Sequence, residues 1–319
     1  MADAAVQAEL LPELLALTDE FEFEPYRNYR VFPRPARRAV LAAEVDATLR
    51  HPDGRVYTAP GGRGAAVARR LAWESGFFGL PMARIEYLLG SDAGARAHAL
   101  DECLRALRAE GVRHVSARAD VADLTFCTLL ESHGFRLRDA LVTYAARPGR
   151  DLPGQVRTRG TIRPFRPEDG PVLVAIARDA FRGFRGRFHT DPDLPRDRAD
   201  AMYEEWARQC LNGEMADVVL VSEGAGQGLL GFLAFRRRDP VSTVTGIDVF
   251  GGGLGACRAD TPGAYAGLIR AGTLWAHERG GVAECQTQNY NFATIRIYEA
   301  VGARYVRAEY TFHASPGAG

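Results

Sequence analysis

The side chain with the clearest chemistry in this sequence is the phenol of Tyr298, which falls in a segment of helical spacing. An unperturbed phenol has a pKa of about 10, so Tyr298 holds its proton at neutral pH, as a general acid must. Tyrosine is also a common core residue on a helix face, and this structural alternative stands beside the catalytic one. Asn291 lies seven residues earlier, where its side chain can cap the start of the same helix.

The elements around Tyr298 occur twice, each time as a strand, a helix, a glycine and a second strand. The copies cover residues 111–145 and 281–313, align with a gap of two residues, and place Glu131 and Glu299 three residues before the helix-ending glycine. Because the match includes side-chain identities as well as pattern, we infer a duplicated architecture. Leu130 stands at the position of Tyr298, so the first copy is predicted to be structural.

Apolar periodicity predicts the remaining elements. Helices are predicted over residues 95–110, 124–132, 171–181, 200–211, 265–279 and 292–301. Strands are predicted over residues 84–89, 112–117, 140–145, 161–165, 218–221, 229–236, 282–288 and 308–313, with a β-like stretch over 244–259. Three glycines at 251–253 interrupt that stretch and are interpreted as a strand break, because no Lys-Ser/Thr follows them as in a phosphate loop.

A run rich in Pro, Gly, Arg and Asp predicts a linker at residues 147–160. The predicted organisation is an N-terminal extension (1–38), a first domain (39–146), this linker and a second domain (161–319). A length of 319 residues fits two domains of ordinary size. The extension begins with helical spacing, continues as an irregular segment, and is interpreted as a packing arm.

The composition excludes several classes of function. Lys plus Arg and Asp plus Glu number 40 each, so the net charge gives no reason to expect binding to nucleic acid or an anionic membrane. No apolar run is long enough for a membrane span, and the acidic N-terminus lacks the features of a signal peptide. The five cysteines show no Cys-x-x-Cys pair and no metal-ligand spacing to a His, so we expect free thiols, no metal site and a cytoplasmic location.

Three stretches together carry a resemblance to a known family: residues 71–79, residues 187–192 followed by Tyr203 and Trp206, and residues 291–302, which contain Asn291, Tyr298 and Gly302. With the element order β-α-α-β-β-β-α-β-α-β over 161–313, the second half resembles the GNAT superfamily of N-acetyltransferases. From about residue 72 onward the chain is similar to the two-domain dTDP-fucosamine acetyltransferases and their relatives. The resemblance implies an α/β (α+β) fold of tandem GNAT-like mixed β-sheets flanked by helices, with a degenerate N-terminal copy.

The resemblance also implies roles for the first two residues described above. In a GNAT fold, the helix that carries Tyr298 lies where two neighbouring strands splay apart and the acyl thioester is held. Tyr298 would protonate the departing thiolate, while backbone N–H groups polarise the thioester carbonyl. Asn291 would either hydrogen-bond the pantetheine arm or cap the helix, and the sequence leaves both roles open.

The donor implied by the resemblance is acetyl-CoA, whose pyrophosphate GNAT proteins hold at a Gly-rich helix start. The usual basic residue followed by Gly-x-Gly is not clearly present here, since Pro262 lacks an N–H group and Asp260 brings negative charge. An acyl group on a carrier protein, whose phosphopantetheine has no pyrophosphate, therefore stays open as the donor. The implied donor-binding residues are Arg258, which can compensate for Asp260, and Gly263, Ala264, Tyr265, Ala266 and Asn291.

An attacking amine must be neutral, so a base or a chain of waters is required. Asp248, between two apolar residues, is predicted to lie on a central strand with its carboxylate in the cleft; a solvent-facing carboxylate at a strand end is the alternative. His189 is the second candidate, on the loop that covers the acceptor in GNAT proteins. Arg187 and His189 could equally contact an acceptor phosphate or fix that loop through Asp191.

The sequence thus predicts an N-acyltransferase that moves an acyl group, expected to be acetyl, to the amine of a small polar metabolite. The two-domain relatives imply a nucleotide-linked amino sugar as the acceptor. Use of an acylated carrier protein in secondary-metabolite biosynthesis is one alternative, and a non-catalytic binding protein that keeps the fold is another. A carrier protein and a second copy of the chain, as a homodimer, stay open as partners.

Overall fold

The protein is described by a computed structural model that covers residues 13–19, 21–149 and 156–315. The chain forms two compact units. The first comprises the described residues of Met1–Ala140 and Ala308–Gly319, and the second comprises those of Leu141–Arg307. The first unit therefore takes its last strand segment from the C-terminal end of the chain, and the second unit begins before the predicted linker. Residues 150–155 of that linker are outside the described part. The domain limits drawn from the sequence stay a prediction.

The first unit is a mixed sheet with helices. Residues 13–19 are helical. The further elements are α1 (Arg34–Arg50), β1 (Gly54–Thr58), a 3-10 turn (Pro60–Gly62), β2 (Gly64–Arg70), α2 (Ala72–Phe78), β3 (Met82–Gly90), α3 (Ala93–Ala109), β4 (His114–Asp120) and α4 (Leu124–Ser132), with the start of β5 (Arg136–Ala146) and the end of β12 (Arg304–Ala314). The strand order is β1-β2-β3-β4-β12, in which β3 and β4 are parallel and the other neighbours are antiparallel.

The second unit is also a mixed sheet with helices. Its elements, besides the end of β5, are β6 (Thr161–Pro164), a 3-10 turn (Pro167–Asp169), α5 (Gly170–Phe181), α6 (Arg196–Leu211), β7 (Val218–Gly224), β8 (Gly228–Arg237), α7 (Val241–Thr245), β9 (Val249–Gly251), β10 (Gly255–Cys257), α8 (Ala264–Glu278), β11 (Val282–Gln288) and α9 (Phe292–Ala300). The strand order is β5-β11-β9-β8-β7-β6, in which β9 and β11 are parallel and the other neighbours are antiparallel, and β10 pairs with β8.

Each unit has its own apolar core. In the first, one face of α3 packs with α4 and the sheet around Leu100, Cys103 and Leu130. In the second, α8 buries an almost continuous apolar face around Leu268 and Ile269. Burial of such stripes is the main stabilising contribution to helices of this length.

The predicted repeat is present in the backbone. Asp123 caps α4 at φ −82° and ψ 69°, and Asn291 caps α9 at φ −83° and ψ 65°. Gly134 and Gly302 follow the two helices at φ 81° and 82°, a left-handed conformation that favours glycine. The next strand has 11 residues in both copies.

The strands after these glycines divide between the units. Residues 141–146 of β5 pair with β11 in the second unit, and residues 309–314 of β12 pair with β4 in the first. The sequence predicted both strands but gave no sign of this exchange, because strand patterning reports the buried face and not the pairing partner.

Several elements differ from the predictions. Helix α1 and strands β1 and β2 were not predicted, and the irregular segment expected to end at residue 38 gives way to helix at Arg34. The β-like stretch over 244–259 was wrong at its start, where α7 ends at Thr245, but right about the break between Gly251 and Gly255. A Cβ on Gly253 would lie 1.7 Å from the Ala234 carbonyl oxygen, so the break requires glycine there. Among the described residues, no helix combines the length and apolar composition that crossing a bilayer requires.

Candidate active site

Two neighbouring strands of the second unit separate to form a cleft. Strand β9 pairs with β11 only at Val249–Val282 and Phe250–Ala283. After the glycine break, β10 pairs with β8 instead. We name the gap between β10 and β11 the splay cleft; it begins beyond Ala283, where no pairing joins the two strands in the described part of the chain.

Tyr298 reaches this cleft from α9. Its side chain is 2% exposed, and its hydroxyl donates a hydrogen bond to the Gln286 carbonyl on β11 at 3.2 Å. Tyr265 is a close neighbour of this hydroxyl. Burial, and then the neighbouring Tyr265 and Cys285, raise the pKa of Tyr298 well above the ordinary tyrosine value. The phenol therefore holds its proton across the physiological pH range, as the sequence predicted.

Tyr265 is the side chain that sequence reasoning overlooked. The sequence placed this residue at the helix start for its backbone N–H group, whereas its ring packs against the core of the second unit. A Cβ on Gly255 would lie 2.9 Å from Cε2 of Tyr265, so the ring lies directly against β10. The available signal was a large aromatic residue among the glycines and alanines of a helix start.

Asn291 acts as a helix cap. Its Oδ1 accepts a hydrogen bond from the Thr294 N–H at 3.4 Å, and its Nδ2 donates to Thr287 Oγ1 at 3.0 Å. Both ends of the amide are thus engaged inside the protein. Of the two roles left open by the sequence, this geometry favours capping.

The predicted donor-binding residues lie together at the start of α8. Gly263 precedes the helix at φ 90°, and the first turn contains Ala264, Tyr265 and Ala266. The Ala264 N–H already donates to the Thr261 carbonyl oxygen at 3.1 Å. The other N–H groups of a first helical turn have no intrahelical acceptor and can bind an anion. Arg258 lies at this loop, since it forms a two-pronged ion pair with Asp260 at 2.8 and 3.1 Å.

That ion pair addresses the negative charge that the sequence placed in the loop. Hydrogen bonding to Arg258 lowers the pKa of Asp260, so the carboxylate is ionised and balanced by a guanidinium. Arg159 adds a second guanidinium, which donates to the Asp260 carbonyl oxygen at 3.2 Å. The charge of this loop is therefore less unfavourable for binding a phosphate than its sequence indicated.

Asp248 does not lie on a strand. It immediately precedes β9, and the prediction of a central-strand position was wrong because α7 occupies the preceding residues. Its Oδ1 accepts a hydrogen bond from Arg237 Nε at 2.6 Å, and its side chain is 40% exposed. The geometry matches the alternative of a carboxylate at a strand end.

His189 is enclosed by aromatic rings in the loop between α5 and α6. Its side chain is 1% exposed, and its ring lies nearly parallel to that of Tyr203 at 5.9 Å. Nε2 lies 3.0 Å from Asp200 Oδ1, so the partner is Asp200 and not Asp191. Burial lowers the pKa of His189 although Asp200 opposes this, and the imidazole is neutral at pH 7. Arg187, the neighbouring candidate, lies over the ring of Phe188 at 4.1 Å.

Comparison with known proteins supports the fold. No family model matches the chain. The spore coat polysaccharide biosynthesis protein SpsD of Bacillus subtilis (strain 168) is 31% identical over 154 residues, 48% of this chain; the match spans 50% of that protein, about half its length. The solved tandem GNAT protein from the clavulanic acid biosynthesis pathway superposes with a TM-score of 0.55 at 13% identity, covering 98% of this chain and 96% of that one.

A third similar protein is the GCN5-related glucosamine N-acetyltransferase region of a fungal multi-domain GH3 β-N-acetylglucosaminidase. It superposes with a TM-score of 0.61 at 11% identity, over 95% of this chain and 37% of that one. At such identities these similarities establish the fold. The chain has a tandem GNAT fold, and both the predicted fold class and the resemblance to two-domain GNAT proteins are confirmed.

Proposed function

We propose that the second unit is an N-acyltransferase in which Tyr298 protonates the leaving thiolate. The observation that carries this proposal is the Tyr298 hydroxyl in the splay cleft, with Leu130 at the matched position of the first unit. Burial keeps the phenol protonated at neutral pH, so Tyr298 has a proton to give to the leaving thiolate.

In the proposed reaction, the acceptor amine attacks the carbonyl carbon of the donor thioester, so a C–N bond forms. The C–S bond then breaks, and the Tyr298 proton passes to sulfur. The proton lost by the amine returns to the tyrosinate through solvent or a base. No oxidation or reduction is involved, and the products are an amide and a free thiol.

The donor in this proposal is acetyl-CoA. Support comes from the first turn of α8, which offers N–H groups behind Gly263, and from Arg258 and Arg159, which offset Asp260. An acylated carrier protein would use the same cleft and needs less of this loop, so it stays the alternative donor.

The acceptor is proposed to be an amino sugar, in particular a nucleotide-linked one. The similar Bacillus protein is named for polysaccharide biosynthesis, and the fungal region is described as a glucosamine N-acetyltransferase. Five free cysteines fit a reducing compartment, and we propose a cytoplasmic location. A homodimer stays open.

His189 is the better of the two candidate bases. An Nε2–H that donates to Asp200 leaves the lone pair on Nδ1, which has no hydrogen-bond partner among the described residues. Asp248 is already engaged by Arg237. We therefore assign the base role to His189, with Asp200 as the residue that orients it.

One observation favours a non-catalytic binding protein as the second candidate: the ring of Tyr265 packs against β10 at the splay cleft. A thiol-release assay separates the candidates. The protein is incubated with acetyl-CoA and a panel of free amino sugars, nucleotide-linked amino sugars and amino acids, with acceptor-free reactions as controls. Amine-dependent release of coenzyme A is expected. Thiol release only from an acetylated carrier protein would select the alternative donor. No thiol release from either donor would contradict the catalytic proposal.

A further inference from the structure

The ring of Tyr265 lies at the splay cleft, through which a thioester arm has to pass in the proposed reaction. Tyr265 packs against the core of the second unit, and its Cε2 and hydroxyl lie 2.9 and 3.3 Å from a Cβ placed on Gly255. Cys257 on β10 and Cys285 on β11 pack against the same core. The ring therefore lies against the β10 wall of the cleft.

The origin of this ring lies in the loop before α8. The chain turns at Gly263 and the helix begins at Ala264, so Tyr265 is the second helical residue. A small residue at this position would leave the cleft open. Gly255, which has no side chain, leaves room for the ring on β10, so the two residues are complementary in shape.

We propose that Tyr265 is a gate that closes the splay cleft in the free protein and opens for the acyl donor. This inference rests on the proposed function. When the ring swings away from β10, the cleft opens beside Tyr298. The Tyr298 hydroxyl then exchanges its hydrogen bond to the Gln286 carbonyl for one to the sulfur of the bound donor.

A gate of this kind lowers the affinity for the donor. The measured Kd equals the intrinsic Kd divided by the fraction of molecules in the open state, so a mostly closed protein binds weakly. Removal of the ring abolishes this penalty. Removal of the hydroxyl alone leaves the ring in place and the cleft filled.

Calorimetric titration with coenzyme A tests the gate on wild type, Tyr265→Ala and the matched control Tyr265→Phe. We expect Tyr265→Ala to lower the Kd by about tenfold or more and Tyr265→Phe to change it by less than about threefold. An unchanged or higher Kd in Tyr265→Ala would overturn the gate. Equal tightening in both variants would also overturn it, because the hydroxyl and not the ring would then close the cleft.

Thiol labelling gives a readout that needs no donor. Because the ring packs against the same apolar core as Cys257 and Cys285, its removal should speed their alkylation by about tenfold, with the buried Cys103 of the first unit as the internal control. Faster labelling without coenzyme A binding in any variant would support the gate and reject acetyl-CoA as donor. Unchanged labelling would reject the gate whatever the donor is. If Tyr265→Ala does not fold, Tyr265→Leu, which removes the hydroxyl and replaces the ring with a smaller aliphatic side chain, takes its place.

Discussion

Helix α4 of the first unit and helix α9 of the second begin at a capping side chain, run for nine residues and end at a glycine of positive φ. Their surroundings differ. Asp123 caps α4 and also forms a buried two-pronged ion pair with Arg96, at 3.0 and 2.5 Å. The Asn291 side chain caps α9, and its other described hydrogen bond goes to the Thr287 hydroxyl.

The inward-facing position four residues before the glycine shows the same contrast. Leu130 is fully buried in an apolar core, whereas Tyr298 places a hydroxyl in the splay cleft. Both units thus share the backbone of the repeat. In the first unit, the interior around α4 is filled by a buried ion pair and apolar side chains. What separates a structural copy from a candidate catalytic one is a small set of side chains on a common frame.

The largest expected effect is on catalysis in the second unit. Tyr298→Phe keeps the ring but removes the proton, and should lower kcat by about 10²–10⁴-fold. Tyr144→Phe is the matched control. The ring centroids of Tyr144 and Tyr298 lie 5.8 Å apart in the same core, and the Tyr144 hydroxyl donates to the Glu299 carboxylate instead. Steady-state thiol release measures both. Similar losses in the two variants would mean that packing, and not proton donation, was disturbed.

The next effect is on stability in the first unit. Asp123→Ala leaves the guanidinium of Arg96 buried without its partner and should lower the free energy of unfolding by about 3–5 kcal/mol. Asn291→Ala, the equivalent change in the second unit, removes only a cap and should cost about 1 kcal/mol. Chemical denaturation measures both. Equal losses would contradict the view that only the first unit has closed its interior with a buried charge pair.

The smallest effect concerns His189, which lies in the loop between α5 and α6 of the second unit. Because burial lowers its pKa, the folded protein keeps the imidazole neutral while the unfolded chain protonates it below pH of about 6.5. Its contribution to stability is therefore present above that pH and is lost as the pH falls towards the folded-state pKa. The facing charged groups are Asp200, which opposes the shift, and Arg196, which adds to it.

Urea unfolding near neutral pH and about two pH units lower checks this expectation. Wild type should lose more stability on acidification than His189→Gln, whose amide can still bond Asp200. An identical loss in both proteins would show that His189 is not held neutral by its surroundings.

Much of this contrast could be predicted from the sequence. Residues 124–132 and 292–301 have strong apolar periodicity and polar caps, and α4 has the predicted bounds. Helix α1 escaped prediction because it follows directly from an irregular segment and has a weak apolar stripe, and β2 because its Ala- and Arg-rich composition is poor in β-branched residues.

The site was predictable in part. The sequence singled out Tyr298 by its spacing to Asn291 and by the leucine in the matched copy, and its catalytic role stays a prediction. The ring of Tyr265 could not, since a loop pattern describes backbone N–H groups and not where a side chain points. Asp248 was misplaced because a short helix before β9 gives no periodic signal over five residues.

The most direct test of the central claim compares Tyr298→Phe on two donors with different leaving thiols. Acetyl-CoA releases a basic thiolate that needs a proton, whereas an acetyl aryl thioester releases a thiolate of a more acidic thiol that does not. If Tyr298 protonates the leaving group, the variant should lose about 10²–10⁴-fold in kcat on acetyl-CoA and far less on the aryl thioester. An equal loss on both donors would contradict the assignment of Tyr298 as the proton donor.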